Sequence, residues 1–165
     1  MTRTPVVGVV GERAAADELY EIAREVGRQI AERRGVVVCG GLTGVMEAAC
    51  RGCREAGGTS IGILPGNDAT EANEYVTIAI PTGMGEGRNI LLVRSSDVLI
   101  AIGGSYGTLS EIALALCLSV PVIGVRTWRM TPGTGAAAAK DPIVRVNSAH
   151  EAVAAAWRHI EATIK

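Results

Sequence analysis

Short, wholly apolar runs recur along this chain and alternate with stretches of helical pattern. The run from Val98 to Ile102, for example, contains only aliphatic residues. A strand with one face in water alternates apolar and polar residues, whereas a strand buried on both faces is apolar throughout. The runs are therefore typical of a parallel sheet that helices cover on both sides.

The periodicity of apolar residues predicts where these elements lie. Predicted strands cover residues 5–10, 36–39, 59–64, 75–80, 98–102 and 120–125, with a short edge strand at 143–146. Predicted helices cover residues 13–34, 45–55, 88–95 and 108–118, followed by a last helix with Val153, Trp157, Ile160 and Ile164 on one face. Residues 67–73 are predicted to form a mobile polar loop, and residues 127–140 are left without a prediction. The fold class predicted is α/β: a three-layer, Rossmann-like, doubly wound parallel sheet that forms a single domain over residues 1–165.

Composition narrows the partners of such a domain. Hydrophobic residues make up 48% of the chain, charged residues 20%, and the formal net charge is −1. This balance is typical of a globular protein and argues against a basic surface for nucleic acid. No apolar run approaches the length of about 20 residues that spans a membrane. Because the first residues also lack a signal-peptide pattern, we expect a cytoplasmic protein with neither membrane nor nucleic-acid partners.

Four cysteines raise the question of a metal site. Cys50 and Cys53 have C-x-x-C spacing but lack a matching second pair, and Cys39 and Cys117 fall in apolar surroundings. The two histidines, placed in or beside the last helix, show no metal-ligand spacing and are predicted to lie at the surface. We interpret the cysteines as structural thiols and predict no metal site.

Two glycine-rich turns follow predicted strands and are expected to lie at the carboxyl edge of the sheet. In both, backbone amides and a helix dipole favour an anion such as a phosphate. The predicted ligand-binding residues of the first turn are Gly40, Gly41, Leu42, Thr43 and Gly44. Those of the second are Gly103, Gly104, Ser105, Tyr106, Gly107 and Thr108. Arg88 and Glu111 are expected to bring a guanidinium and a carboxylate to the same place.

The common nucleotide motifs do not account for these turns. The first turn of the chain, residues 8–13, lacks the G-x-G-x-x-G fingerprint, and the second strand does not end in an acidic residue for a ribose. The sequence also lacks the G-x-x-x-x-G-K-[ST] motif of P-loop proteins. Dinucleotide-dependent dehydrogenases and P-loop NTPases are thus disfavoured.

The second turn resembles the motif P-G-G-x-G-T-x-x-E of the LOG family, the cytokinin-activating nucleoside 5′-monophosphate phosphoribohydrolases. That family has an arginine fifteen positions before the proline, and Arg88 stands fifteen positions before Gly103. Glu111 falls on the terminal glutamate of the motif. The resemblance implies that Arg88 and Glu111 are catalytic, with Arg88 holding the 5′-phosphate and Glu111 stabilising the ribose as the N-glycosidic bond breaks.

Three positions differ from the LOG motifs. Gly103 replaces the proline, Ser105 replaces a glycine, and Asn89 replaces a lysine that would be a second phosphate cation. At these positions the chain resembles a sister group of the same fold, the molybdenum-cofactor carrier proteins, which bind a phosphorylated pterin. The expected function is therefore binding of a phosphorylated heterocycle, either a nucleoside monophosphate or the molybdenum cofactor, with Asn89 in the site. A LOG-type phosphoribohydrolase is the alternative, and whether the chain is an enzyme stays open. No cofactor is expected to be required.

Residues 108–118 are apolar almost all round after the first turn. A helix that covers one face of a sheet normally keeps a polar outer stripe. We therefore predict a homodimer or larger homo-oligomer that buries this helix. Two smaller expectations are an ion pair between Arg94 and Asp97, and a ring of Tyr106 that stacks on a base or packs on a partner subunit.

Overall fold

The computed structural model describes residues 3–130 and 141–163. Seven strands form one sheet: β1 (Val6–Gly11), β2 (Val36–Cys39), β3 (Thr59–Leu64), β4 (Ile78–Pro81), β5 (Val98–Ile102), β6 (Val122–Val125) and β7 (Val144–Val146). The α-helices are α1 (Asp17–Glu32), α2 (Val45–Glu55), α3 (Asn89–Ser95), α4 (Tyr106–Cys117) and α5 (Ala149–Thr163). Two short 3₁₀ turns, Ala69–Glu71 and Gly85–Arg88, precede β4 and α3.

The strand order is β4-β3-β2-β1-β5-β6-β7, and every neighbouring pair is parallel. This order confirms the predicted doubly wound parallel sheet. It also explains the apolar runs, because all five residues of β5 are buried between the two helical layers. Among the described residues, none of the helices has both the length and the apolar character needed to cross a membrane.

Helices α1, α2 and α5 cover one face of the sheet, and α3 and α4 cover the other. Helices α1 and α2 approach so closely that a Cβ at Gly27 would stand 1.9 Å from the carbonyl oxygen of Ala49. Gly52 of α2 meets α1 in the same way, 1.8 Å from the carbonyl oxygen of Arg24. Glycine is thus required at both positions for the two helices to touch.

The switch point of the topology lies between β1 and β5. From β1 the chain winds outward through β2, β3 and β4, then returns to place β5 on the other side of β1. The pairing runs from Val7 opposite Val98 to Gly11 opposite Ile102. The two connections that leave these strands diverge to opposite faces, which opens a crevice at their carboxyl ends.

Several predicted boundaries were wrong. Helix α1 begins at Asp17 rather than at residue 13, α4 begins at Tyr106 rather than at 108, and β4 begins at Ile78 rather than at 75. Arg88 ends a 3₁₀ turn rather than beginning an α-helix. Ile164 and most of the segment 127–140 lie outside the described residues.

One prediction about a side-chain contact was also wrong. Asp97 does not pair with Arg94; it pairs with Arg3 and accepts a hydrogen bond of 2.9 Å from the backbone N–H of Val6. The last residue of the 67–73 loop, Asn73, is hydrogen-bonded to the first glycine turn, and the mobility of the loop stays a prediction. Asn73 donates through its backbone N–H to the carbonyl of Gly41 at 2.8 Å and through Nδ2 to that of Leu42 at 2.8 Å.

Candidate functional site

A cavity of about 430 Å³ opens at the carboxyl ends of β1 and β5, where the topology places a ligand crevice. It lies between the loop after β1, the 3₁₀ turn before α3 and the first turns of α4. Its lining comprises Gly11, Arg13, Met46, Glu86, Arg88, Asn89, Ser105, Tyr106, Gly107, Thr108, Ser110 and Glu111.

Arg88 is buried in this lining, with 3% of its surface exposed. Its guanidinium packs on the backbone of Gly40, where a Cβ would stand 2.5 Å from Nη1 and 2.6 Å from Nη2. Within the described residues, the buried Nε and Nη1 atoms have no hydrogen-bond partner. A buried cation with unpaired donors costs free energy. The donors of Arg88 are therefore available to an anionic ligand.

Glu111 lies beside Arg88 on the first turns of α4, with 7% of its surface exposed. Its Oε1 atom is 3.7 Å from Arg88 Nη1, which is an ion pair without a hydrogen bond. Burial raises the pKa of Glu111 to about 7, and the opposite effect of Arg88 does not offset it. Near neutral pH the carboxyl group is thus divided between its protonated and ionised forms and can either donate or accept a hydrogen bond.

The start of α4 forms one wall of the cavity. Ser105 precedes the helix, and its side chain makes no capping hydrogen bond. The first backbone N–H groups of an α-helix have no partner within the helix and carry a partial positive charge. Thr108 adds a buried hydroxyl without a hydrogen-bond partner in the described part of the chain. This wall suits a phosphate group.

Asn89 ties α3 to α4. Its Nδ2 donates to Ser110 Oγ at 3.0 Å, and that hydroxyl donates to the carbonyl of Gly107 at 2.8 Å. The Oδ1 atom of Asn89 is buried without a partner among residues 3–130 and 141–163. The side chain at this position is thus neutral and partly committed to holding the α4 wall in place.

The rim of the cavity carries an ion pair and an aromatic pair. Arg13 Nη2 lies 3.2 Å from Glu86 Oε1, so this pair joins the loop after β1 to the 3₁₀ turn that carries Arg88. Tyr106 is 81% exposed, and its ring lies 5.8 Å from that of Trp128. Trp128 in turn donates from Nε1 to the carbonyl of Ser105 at 3.1 Å. An exposed aromatic ring, that of Tyr106, therefore stands at the mouth of the cavity.

The structure brings together half of the residues predicted for the site. Seven line the cavity: Arg88, Asn89, Ser105, Tyr106, Gly107, Thr108 and Glu111. Gly103 and Gly104 shape the turn behind them, with positive φ angles of 57° and 129°. The backbone of Gly40 lies against the guanidinium of Arg88.

The rest of the first glycine turn does not line this cavity. Gly41 and Gly44 also have positive φ angles, of 73° and 69°, and neither lines the cavity. Leu42 and Thr43 line a second cavity of about 300 Å³ near the Ala69–Glu71 turn. The geometry therefore brings Gly40 and the second turn to one cavity and leaves the rest of the first turn outside its lining, so the two-turn pocket stays a prediction.

Five lining residues were not predicted: Gly11, Arg13, Met46, Glu86 and Ser110. A signal for Gly11 and Arg13 was present in the sequence. They follow the central strand of the predicted sheet, and the carboxyl end of that strand borders the switch point. Met46 and Glu86 reach the site only through the tertiary fold.

Three of the four cysteines, Cys39, Cys50 and Cys53, are buried. Among the described residues, no cluster of three or more potential metal ligands exists. Cys39 and Cys50 are buried, with their Sγ atoms 3.4 Å apart. Burial raises the pKa of Cys53 to about 12. Cys117, by contrast, is exposed on α4 of the single chain, although its apolar neighbours in the sequence favour a buried thiol.

Two solved structures share this fold along nearly the whole chain. The molybdenum cofactor binding protein of Rippkaea orientalis is 34% identical, with a TM-score of 0.85 and complete coverage of both chains. The molybdenum cofactor carrier protein of Chlamydomonas reinhardtii is 35% identical, with a TM-score of 0.84, covering 96% of this chain and 99% of that one.

A curated plant protein is also similar. It is a probable cytokinin riboside 5′-monophosphate phosphoribohydrolase of Oryza sativa subsp. japonica, 32% identical over 104 residues. The alignment covers 61% of this chain and 44% of the plant protein, so the chain spans less than half the length of that relative.

Both groups of relatives agree with the resemblance seen in the sequence motifs, to LOG proteins and to molybdenum-cofactor carriers. A family match along residues 4–153 covers all seven strands and the start of α5. The chain belongs to the SLOG cluster4 family.

Proposed function

We propose that this chain binds a phosphorylated heterocyclic small molecule, either a nucleoside monophosphate or the molybdenum cofactor, with its phosphate on Arg88. The observation that carries the proposal is the buried guanidinium of Arg88, whose Nε and Nη1 donors are unpaired among the described residues. A guanidinium donates two parallel hydrogen bonds to a phosphate, and such charge-assisted bonds are about twice as strong as neutral ones.

The surroundings of Arg88 support the same ligand. The N-terminus of α4 offers further N–H groups to the phosphate, and the protonated form of Glu111 can donate a hydrogen bond to it. A volume of about 430 Å³ lies within the range of sites that hold small molecules. Tyr106 offers an exposed ring at the mouth for a planar heterocycle.

A phosphoribohydrolase is the second candidate, and the position of Glu111 favours it. A carboxyl group beside the phosphate-binding arginine lies where a ribose would follow the phosphate. In the reaction, water attacks the anomeric carbon, the bond to the base nitrogen breaks, and the base leaves with the bonding electrons and a proton. Ionised Glu111 would stabilise the cationic ribose or orient the water. Against this candidate, Asn89 is neutral where the LOG motif has a lysine.

One experiment separates the two candidates. The chain is incubated with AMP and related monophosphates; free base and ribose 5-phosphate are measured by chromatography, and binding by the shift in unfolding temperature. For a binding protein, AMP stabilises the wild type without release of base, and Arg88→Ala abolishes the stabilisation. Arg94→Ala is the matched control, because Arg94 is exposed on the following helix. Release of base that disappears in both Arg88→Ala and Glu111→Ala would instead establish the hydrolase.

The proposal extends to assembly and location. Leu109, Ala113, Leu114 and Leu116 on α4 are only partly buried within one chain, and Cys117 is exposed beside them. We expect a second copy to cover this surface and the protein to act as one ligand-binding domain, residues 1–165, in the cytoplasm. Light scattering at micromolar concentration should give at least twice the monomer mass of 17.1 kDa; a monomer would contradict this interface. The near-neutral charge favours small-molecule partners over nucleic acid.

A further inference from the structure

We propose that Arg13 is the second phosphate-binding cation of this site, and that the Glu86 carboxylate occupies Arg13 until a ligand phosphate displaces it. The inference rests on the proposed function, because it names how the same site binds the charge of its ligand. It assigns roles to two residues outside the glycine-turn motifs.

The position of the two residues suggests this pairing. Arg13 comes from the loop after β1, and Glu86 comes from the 3₁₀ turn that ends in Arg88. Both line the cavity, and Arg13 Nη2 lies 3.2 Å from Glu86 Oε1. The carboxylate of Glu86 thus places a negative charge at the rim of the cavity, next to the guanidinium of Arg13.

The charge of the ligand requires more than Arg88. A phosphate monoester carries a charge of about −1.5 to −2 at pH 7. Arg88 supplies one positive charge, and its neighbour Glu111 is partly ionised at that pH. Asn89 supplies no charge. The cavity lining contains one further cation in the described residues, and that cation is Arg13.

Breaking the ion pair between Arg13 and Glu86 costs little free energy. The side chains of Arg13 and Glu86 are 56% and 68% exposed, and ion pairs between exposed side chains contribute little to stability. When a dianionic phosphate sits on Arg88, Glu86 and the ligand repel each other while both attract Arg13. Release of Glu86 into solvent removes its repulsion with the ligand. Transfer of Arg13 to the phosphate replaces the ion pair that was broken with a new one.

This exchange predicts effects of opposite sign for the two partners of one ion pair. Loss of Arg13 removes a ligand contact and weakens binding. Loss of Glu86 removes a competitor and strengthens binding. If the pair were instead only a brace that holds the rim together, breaking it from either side would change binding in the same direction.

The test compares Arg13→Gln, Glu86→Gln and the double variant by calorimetric titration with AMP, inorganic phosphate and adenosine at low salt. We expect Arg13→Gln to weaken AMP binding roughly tenfold, the value of one charge-assisted hydrogen bond. We expect Glu86→Gln to tighten it about threefold, the range of an exposed ion pair. Inorganic phosphate should follow AMP, whereas adenosine, which has no phosphate, should respond to neither change. Arg24→Gln is the matched control, because it breaks an inter-helix pair with Glu55, 2.8 Å long, outside the cavity.

The outcomes separate this inference from the proposed function. If the wild type binds AMP or inorganic phosphate and the two single variants change affinity in the same direction, or not at all, the role of Arg13 is overturned while the proposed function stands. If the wild type binds neither probe, the phosphate site proposed on Arg88 fails, and the role of Arg13 fails with it. Circular dichroism of each variant verifies that the rim changes leave the fold intact.

Discussion

Replacing Glu111 with glutamine should make the stability of the protein less dependent on pH. In the folded chain burial keeps the carboxyl protonated up to a pKa of about 7, whereas the ordinary value is 4.5. Between these two pH values the folded state binds more protons than the unfolded state. The free energy of unfolding therefore falls as the pH rises, and this loss is complete above about pH 7.

The size of the effect follows from the two pKa values. A tenfold change in proton affinity corresponds to about 1.4 kcal/mol, so raising a carboxyl pKa from 4.5 to about 7 corresponds to about 3 kcal/mol. Glutamine has the shape of the protonated side chain and cannot ionise. Glu111→Gln should thus match the wild type near pH 4.5 and exceed its stability by about 3 kcal/mol at pH 8.

Urea denaturation monitored by circular dichroism, at intervals from pH 4.5 to 8, measures this difference directly. Glu161→Gln on α5 is the control, because it removes an exposed carboxylate outside the cavity and should leave the profile unchanged. A difference between Glu111→Gln and wild type that stays constant across the range would refute the reasoning. It would mean that Glu111 is ionised in the folded chain throughout.

Two glycine substitutions test the site and the fold separately. Gly40→Ala should weaken AMP binding about tenfold without loss of the fold, because its Cβ would meet the movable guanidinium of Arg88 at 2.5 Å; unchanged affinity would contradict the packing described. Gly27→Ala should lower the free energy of unfolding by about 1–3 kcal/mol, because its Cβ would meet the backbone of α2 and force the helices apart. Gly87→Ala, whose nearest neighbour would stand 4.0 Å away, should cost less than about 0.5 kcal/mol in the same urea titration; equal losses in both variants would exclude a helix clash as the cause.

The fold was largely predictable because strands that are buried on both faces are apolar throughout, and this pattern is easily recognised in the sequence. An entirely apolar strand such as Val98–Ile102 is hard to mistake when a glycine turn and a helix follow it. The boundaries were less predictable. Residues 13–16 precede α1 although their sequence continues the helical pattern, and Arg13 lines the cavity instead of beginning the helix.

The neighbours within the candidate site were predictable only for residues that the motif spacing connects. Spacing linked Arg88 to Glu111, and the structure places them 3.7 Å apart. It could not show that Arg88 is buried against Gly40, since 48 positions separate the two residues in the chain. The Arg13–Glu86 pair was missed for the same reason: each side chain is an ordinary surface charge in its own segment. The partner of Asp97, Arg3, likewise comes from the far end of the chain.

The pairing of β1 with β5, the seam between the two halves of the sheet, affects the order in which the chain folds. Val7 and Val98 are neighbours in the sheet but stand 91 positions apart in sequence. The units from β1 to β4 can assemble through nearer neighbours, whereas closing this seam requires a long loop to lose its freedom first. The cavity does not exist until the seam closes, because its walls come from both sides. The proposed phosphate binding, followed during refolding, should therefore return only after this pairing has formed.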